Sequence, residues 1–333
     1  MSKAFEFSRQ QLKSVKPSMA YSGQTLSKWQ TEAREKLCEL LGFDTFVKIA
    51  PELEIEYEGK IDGATEIRFS FQSEENYRVP CVMLLPDGIE KPPVMICLQG
   101  HSTGMHISLG RAVYEGDEDL ISGGDRDFCV RAVKEGWAAI AVEQRGFGET
   151  RMWDVEGGGC RNTSMTSILM GRTTIGERVW DVSRLIDVLE MSFSDKLDLS
   201  RLSCMGNSGG GTVTAYLGAL EDRLKLVMPS CAMCQFSQSI AAMQHCTCNY
   251  VPNIAKFFDM GDLMAMACPK YFVQVSGETD CGFLLPGSTA VFEAGKQAYE
   301  KAGVTDRCAL VIGNGGHRFF ADDAWPVVHQ YLG

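Results

Sequence analysis

Apolar residues follow two periods along this chain. Near the start the period is helical: residues 26–42 place apolar side chains three and four apart and stop at Gly42. Residues 53–57 and 65–71 then alternate apolar and polar, and 79–86 follow after a polar turn. These predict an antiparallel edge feeding a larger sheet. Beyond it the strands become continuous apolar runs, at 94–99, 137–142, 202–206, 225–229, 271–275 and 309–312. Such runs are expected where both faces of a strand are covered. Helical patterns separate them at 128–136, 175–189, 212–220 and 290–301. Apolar strands alternating with helices predict an α/β fold with a mostly parallel central sheet of about eight strands.

Less regular stretches complete the pattern. Residues 150–171 are rich in Gly, Met and Thr with little periodicity, and read as a surface excursion near an active-site mouth. The Met- and Cys-rich stretch up to about residue 267 reads as irregular. On the 175–189 helix, Arg178/Asp181 and Arg184/Asp187 read as solvent salt bridges. The pattern divides into an N-terminal helical extension, 1–50, and one catalytic-size domain, 51–333. The extension either covers the sheet edge or reaches a neighbouring subunit. Packing is the preferred reading, and homo-oligomerisation stays open.

Composition narrows the partners. With 333 residues and 45% apolar content the chain can bury a large core. A formal charge of −11 argues against nucleic acid or an anionic membrane as partner. The N-terminal residues do not read as a signal peptide, and no apolar run reaches membrane-spanning length. A cytoplasmic location is therefore expected, with the thirteen cysteines as free thiols. Cys81, Cys97, Cys204 and Cys308 sit in apolar segments and read as core residues. Cys231 and Cys234, with His245, Cys246 and Cys248, raise the question of a metal site. No paired C-x-x-C repeat at structural spacing accompanies them, so no metal is expected.

The chemistry gathers at Gly206-Asn207-Ser208-Gly209-Gly210, a G-x-S-x-G between a strand and a helix. This is the nucleophile-elbow pattern. The turn is too tight for Cβ atoms at Gly206 and Gly210, and the helix that follows aims free N–H groups at a developing oxyanion. A serine nucleophile needs a base, and the base needs an orienting acid. Of five histidines, His317 lies just past the last strand, and Asp280, with Glu278 as rival, lies past the strand before it. The order Ser208, Asp280, His317 is that of α/β-hydrolases. The backbone N–H groups of Gly209 and His101, the latter in the turn after the first buried strand, would form the oxyanion hole.

The chain resembles the α/β-hydrolases of the acetyl xylan esterase and dienelactone-hydrolase-like group of bacterial esterases. The resemblance spans roughly residues 65–333. It is carried by residues 98–101, 144–148, 178–181, 206–211, 248–252, 277–280 and Gly316-His317. It implies an α/β-hydrolase fold, with Ser208 as nucleophile, Asp280 as acid, His317 as base, and oxyanion donors at His101 and Gly209. It implies no metal and no organic cofactor. The expected substrate is a small-molecule ester with a short, acetyl-like acyl group, of carbohydrate among other alcohols. Asn207, Asn249 and Tyr250 are expected to line the pocket with the 150–171 stretch. A peptidase or amidase with the same triad, and a non-catalytic binding module, are the competing functions.

Overall fold

A computed structural model describes residues 3–152 and 159–333. Residues 153–158, part of the expected excursion, lie outside the described residues. One sheet holds nine strands: β1 (Glu54–Ile61), β2 (Ala64–Glu74), β3 (Tyr77–Pro86), β4 (Pro93–Leu98), β5 (Ala138–Val142), β6 (Asp198–Asn207), β7 (Leu226–Ser230), β8 (Tyr271–Gly277) and β9 (Cys308–Gly313). Their order is β1-β2-β3-β5-β4-β6-β7-β8-β9. The first three are antiparallel to one another, and β3 runs antiparallel to β5. From β5 to β9 every neighbour is parallel. The α/β architecture is as expected, with nine strands where about eight were predicted.

The continuous apolar strands do divide their residues between two faces. Val94, Ile96 and Leu98 of β4 join one core, together with the helices Leu26–Leu41, Thr174–Ser192 and Gly209–Leu220. Met95 and Cys97 join the other, with the helices Phe128–Lys134 and Ala321–Leu332. Both faces are covered, so each strand position is buried whichever way it points. Trp29, Ala33, Leu37 and Leu41 of the N-terminal extension lie in the first core. Gly42 ends their helix in the left-handed region, at φ 81°.

Three local expectations are corrected. The stretch 150–171 contains a helix, Arg161–Leu169. It buries Ser164 and Ser167 while Met165 and Leu169 face outward, so it has no apolar stripe to read. The irregular stretch before residue 267 ends in another helix, Met260–Ala267, opened by a capping box of Asp259 and Asp262. The charged residues Arg178, Asp181 and Arg184 are buried, not solvent-facing, and of the two expected pairs Arg184 with Asp187 forms. Asp181 takes a two-pronged hydrogen bond from Arg145, both at 2.8 Å, rather than pairing with Arg178. Cys308 is half-buried. Among the described residues, no helix is long and apolar enough to cross a membrane.

Candidate active site

The chain leaves β4 for β5 on one side, then crosses to β6 on the other. At such a reversal two loops part above the carboxyl ends of neighbouring strands and leave a crevice. Leu98 of β4 pairs with Gly206 of β6. The turn at Gly100-His101 therefore lies against the turn at Ser208-Gly209. A Cβ built on Gly100 would sit 2.8 Å from Ser208 Cβ, and one on Gly209 would sit 3.0 Å from the His101 ring.

Ser208 occupies the turn at φ 56° and ψ −122°, a strained backbone for a residue other than glycine. Its N–H donates to the Ser230 carbonyl at 2.8 Å, and its carbonyl accepts from Thr212 N–H at 2.8 Å. Strand and helix thus hold the residue from both sides. The crossing leaves no room for side chains. A Cβ on Gly210 would fall 2.0 Å from the Leu98 carbonyl oxygen, and one on Gly206 would fall 2.5 Å from the Gly210 backbone. Among the described residues, the Ser208 hydroxyl and the N–H groups of His101 and Gly209 have no hydrogen-bond partner.

Asp280 and His317 follow the paired ends of β8 and β9, where Gly277 meets Gly313. The two loops are tied by Glu278 N–H to the Gly313 carbonyl at 3.0 Å and Thr279 N–H to the Gly315 carbonyl at 2.9 Å. His317 Nδ1 lies 2.8 Å from Asp280 Oδ2. The other carboxylate oxygen accepts from the N–H groups of Gly282 at 2.7 Å and Phe283 at 3.1 Å. Burial alone would raise the Asp280 pKa. The hydrogen bond and charge of His317, with the two N–H groups, outweigh it and hold the carboxylate below its ordinary value. Glu278, the rival acid, is exposed.

Two groups around this pair escape sequence reasoning. Phe283 stacks on the His317 ring at 5.8 Å and 15°. Cys231 lies beside both partners, and burial, reinforced by the Asp280 charge, pushes its thiol up to about 12. Cys231 is therefore a neutral neighbour. No periodic signal could have placed either.

The expected pocket residues separate. Asn207 is fully buried, with Oδ1 accepting from Ser230 at 2.9 Å. Asn249 is buried too and bonds His245 at 3.1 Å. Tyr250 is exposed, on cavities away from Ser208. His245 stands nearer the reacting groups, with its ring 6.4 Å from His101 and 5.9 Å from Phe283. Burial and the neighbouring His101 lower its pKa. A cavity of about 550 Å³ opens on the His101 side, lined by Ser102, Thr103, Phe147 and Arg161 among others.

The His101 ring lies along Gly209 and turns its Nε2 toward a group of thiols. Its Nε2 lies 3.1 Å from Cys248 Sγ and 3.9 Å from Cys160 Sγ. Cys246 Sγ lies 2.9 Å from Cys160 Sγ and 3.3 Å from Cys248 Sγ. Cys231 and Cys234, grouped with Cys246 and Cys248 on spacing, stand apart from this set: Cys231 is beside Asp280 and Cys234 bonds the Leu284 carbonyl.

A family model described as the Abhydrolase family matches residues 3–170, and one described as fungal glucuronyl esterase matches residues 168–235. The protein YtaP of Bacillus subtilis is 24% identical over 247 residues, 72% of this chain and 78% of its own length. The 4-O-methyl-glucuronoyl methylesterase 1 of Wolfiporia cocos is 27% identical over 170 residues, 43% of this chain and 41% of its own. The solved acetyl xylan esterase 1 of Thermoanaerobacterium sp. has the same fold, with a TM-score of 0.59 at 14% identity over 97% of this chain and 96% of that one.

Proposed function

Because the chain belongs to the Abhydrolase family of α/β-hydrolases, we propose that it hydrolyses carboxylic esters through Ser208, His317 and Asp280, with short acyl esters, acetyl above all, as substrates. The observation that carries this is the buried Asp280 carboxylate held 2.8 Å from His317 Nδ1. It fixes the tautomer with Nε2 free to accept a proton.

Ser208 attacks the ester carbonyl while His317 Nε2 takes its proton. The carbonyl oxygen becomes an oxyanion held by the N–H groups of His101 and Gly209, both without another acceptor among the described residues. His317 then gives its proton to the leaving alcohol. Water, deprotonated by His317, cleaves the acyl-serine and returns the hydroxyl. Asp280 stays ionised throughout and stabilises the imidazolium. The Ser208 hydroxyl and His317 close to bonding distance with substrate bound, a common tightening from the free state.

The likeness to a glucuronoyl methylesterase supports a second arrangement, in which the sugar is on the acid side and methanol leaves. The two differ in which half of the ester the cavity beside His101 must hold. Initial rates on p-nitrophenyl acetate, longer p-nitrophenyl esters, acetylated xylo-oligosaccharides and methyl glucuronate separate them. Fastest turnover of acetyl esters is expected. The Ser208→Ala variant should lose roughly 10⁴–10⁶-fold in kcat. Preference for methyl glucuronate would overturn the acyl assignment. Undiminished hydrolysis by Ser208→Ala would overturn the nucleophile.

A further inference from the structure

We propose that His101, Cys160, Cys246 and Cys248 bind one zinc ion in a closed site of four protein ligands. Their ligand atoms, one nitrogen and three sulfurs, all lie within 4.8 Å of one another. A tetrahedral zinc with Zn–S near 2.3 Å and Zn–N near 2.0 Å needs ligand separations of about 3.5–3.8 Å. The four separations given above run from 2.9 to 3.9 Å and bracket that value. Three soft sulfurs and an imidazole select a thiophilic ion over calcium or magnesium. With four protein ligands the site keeps no open position for substrate, so its role is structural.

The charge balance supplies a second, independent argument. Arg178 is 1% exposed. Among the described residues, it has no carboxylate partner. Nε and Nη2 donate to the Arg145 carbonyl, at 3.0 and 2.6 Å, and Nη1 points to Cys248 Sγ at 3.6 Å. Its guanidinium lies 4.0 Å over the Phe147 ring. A buried cation is costly unless an anion faces it. Zinc binding releases three thiol protons to solvent, and the resulting centre carries one negative charge. Arg178 then has its counter-ion. Cys160, Cys246 and His101 also line the 550 Å³ cavity, which gives an ion its way in.

The ligands come from three loops over the carboxyl ends of the strands: after β4, after β5, and between β7 and β8. Zinc would staple all three. One of them is the turn at His101, so the ion would also fix the backbone beside Ser208.

The test needs no turnover, so it stands or falls apart from the esterase reading. The full chain, without a histidine tag, is isolated under reducing conditions and dialysed, and its metals are measured by mass spectrometry. About one tightly held zinc per chain is expected. Cys246→Ser with Cys248→Ser should lose it, while Cys281→Ser, at an exposed thiol outside the set, should keep it. If the double variant does not fold, the wild-type chain is stripped and titrated with Co²⁺. A strong visible ligand-field band with sulfur-to-cobalt charge transfer is expected. Absence of zinc even after reconstitution overturns the proposal. So does a weak, octahedral cobalt spectrum, equal zinc in a folded double variant, or an intact mass two hydrogens lighter that maps to a Cys160–Cys246 disulfide.

Discussion

In the proposed mechanism Asp280 sets which imidazole nitrogen of His317 carries the proton. Both carboxylate oxygens are engaged, Oδ2 by His317 and Oδ1 by two backbone N–H groups. In Asp280→Asn the amide oxygen can still accept from the backbone, so the loop should hold. The amide nitrogen then faces His317 Nδ1 and reverses the tautomer, which presents a donor to Ser208. We expect kcat to fall about 10⁴-fold with thermal stability nearly unchanged. Paired initial-rate and melting measurements check this, and a large loss of stability with a small loss of rate would refute it. A second buried acid acts on stability instead. Glu143 accepts from Met105 and Glu149 N–H at 3.3 and 3.2 Å, bridging the loops after β4 and β5. Burial pushes its pKa up to about 7, against those two hydrogen bonds. The folded chain therefore binds a proton between pH 4.5 and 7 that the unfolded chain has released. Below this window both states are protonated; above it both are ionised, and the folded state has lost the difference, about 3 kcal/mol. Stability of the wild type should thus fall relative to Glu143→Gln as pH rises from 4.5 to 7. Denaturant midpoints of the two proteins across that range test the slope, and parallel curves would refute it.

At the scale of elements, what the sequence made legible was whatever has a period or a fixed spacing. The strands β4 and β5 are apolar at every position because both faces are covered. Ser208, Asp280 and His317 could be ordered because each follows a strand end, and a strand end is a local signal. The helices Arg161–Leu169 and Met260–Ala267 were not legible, for opposite reasons. The first turns serines inward and leaves Met165 and Leu169 exposed; the second is buried at all eight positions and so has no polar face. Asn207 was singled out because it adjoins Ser208 in sequence, while its side chain is fully buried against Ser230. The His101–cysteine set was out of reach as well. His101, Cys160 and the Cys246/Cys248 pair stand 59 to 147 residues from one another, and only the sheet order brings them together. The elbow glycines, by contrast, make a sharp prediction from spacing and structure alike. In Gly210→Ala the new methyl meets the backbone of β4 at Leu98 and Gln99, not a movable side chain. The helix Gly209–Leu220 must move off the strand and take the Gly209 N–H with it. A loss of about 1–3 kcal/mol or more is expected, with loss of ester hydrolysis, read by thermal unfolding and initial rates. Wild-type behaviour would mean that the crossing of strand and helix has slack.

For the whole molecule, the open question in the sequence was whether residues 1–50 pack on this chain's own sheet or reach a neighbouring subunit. The helix Leu26–Leu41 turns Trp29, Ala33, Leu37 and Leu41, each four residues on, to one side. That side joins the core that also holds the helices Thr174–Ser192 and Met260–Ala267. Polar contacts reinforce the seam. Arg34 donates to the Met266 carbonyl at 2.9 Å, and Gln30 donates to that of Cys268 at 2.6 Å. These capped carbonyls belong to the end of the helix leading into β8, the strand before Asp280. The extension therefore braces the helix that leads into β8, and its unfolding should not be separable from that of the sheet. Leu37 is 0% exposed, and Leu37→Ala should cost about 2–5 kcal/mol. The cost should appear as a shift of one cooperative transition, with far-ultraviolet and tryptophan signals moving together and activity lost at the same denaturant concentration. An early, separate transition that leaves ester hydrolysis intact would show the extension to be an appendage. A single shifted transition would make residues 26–41 as much a part of the catalytic fold as β4.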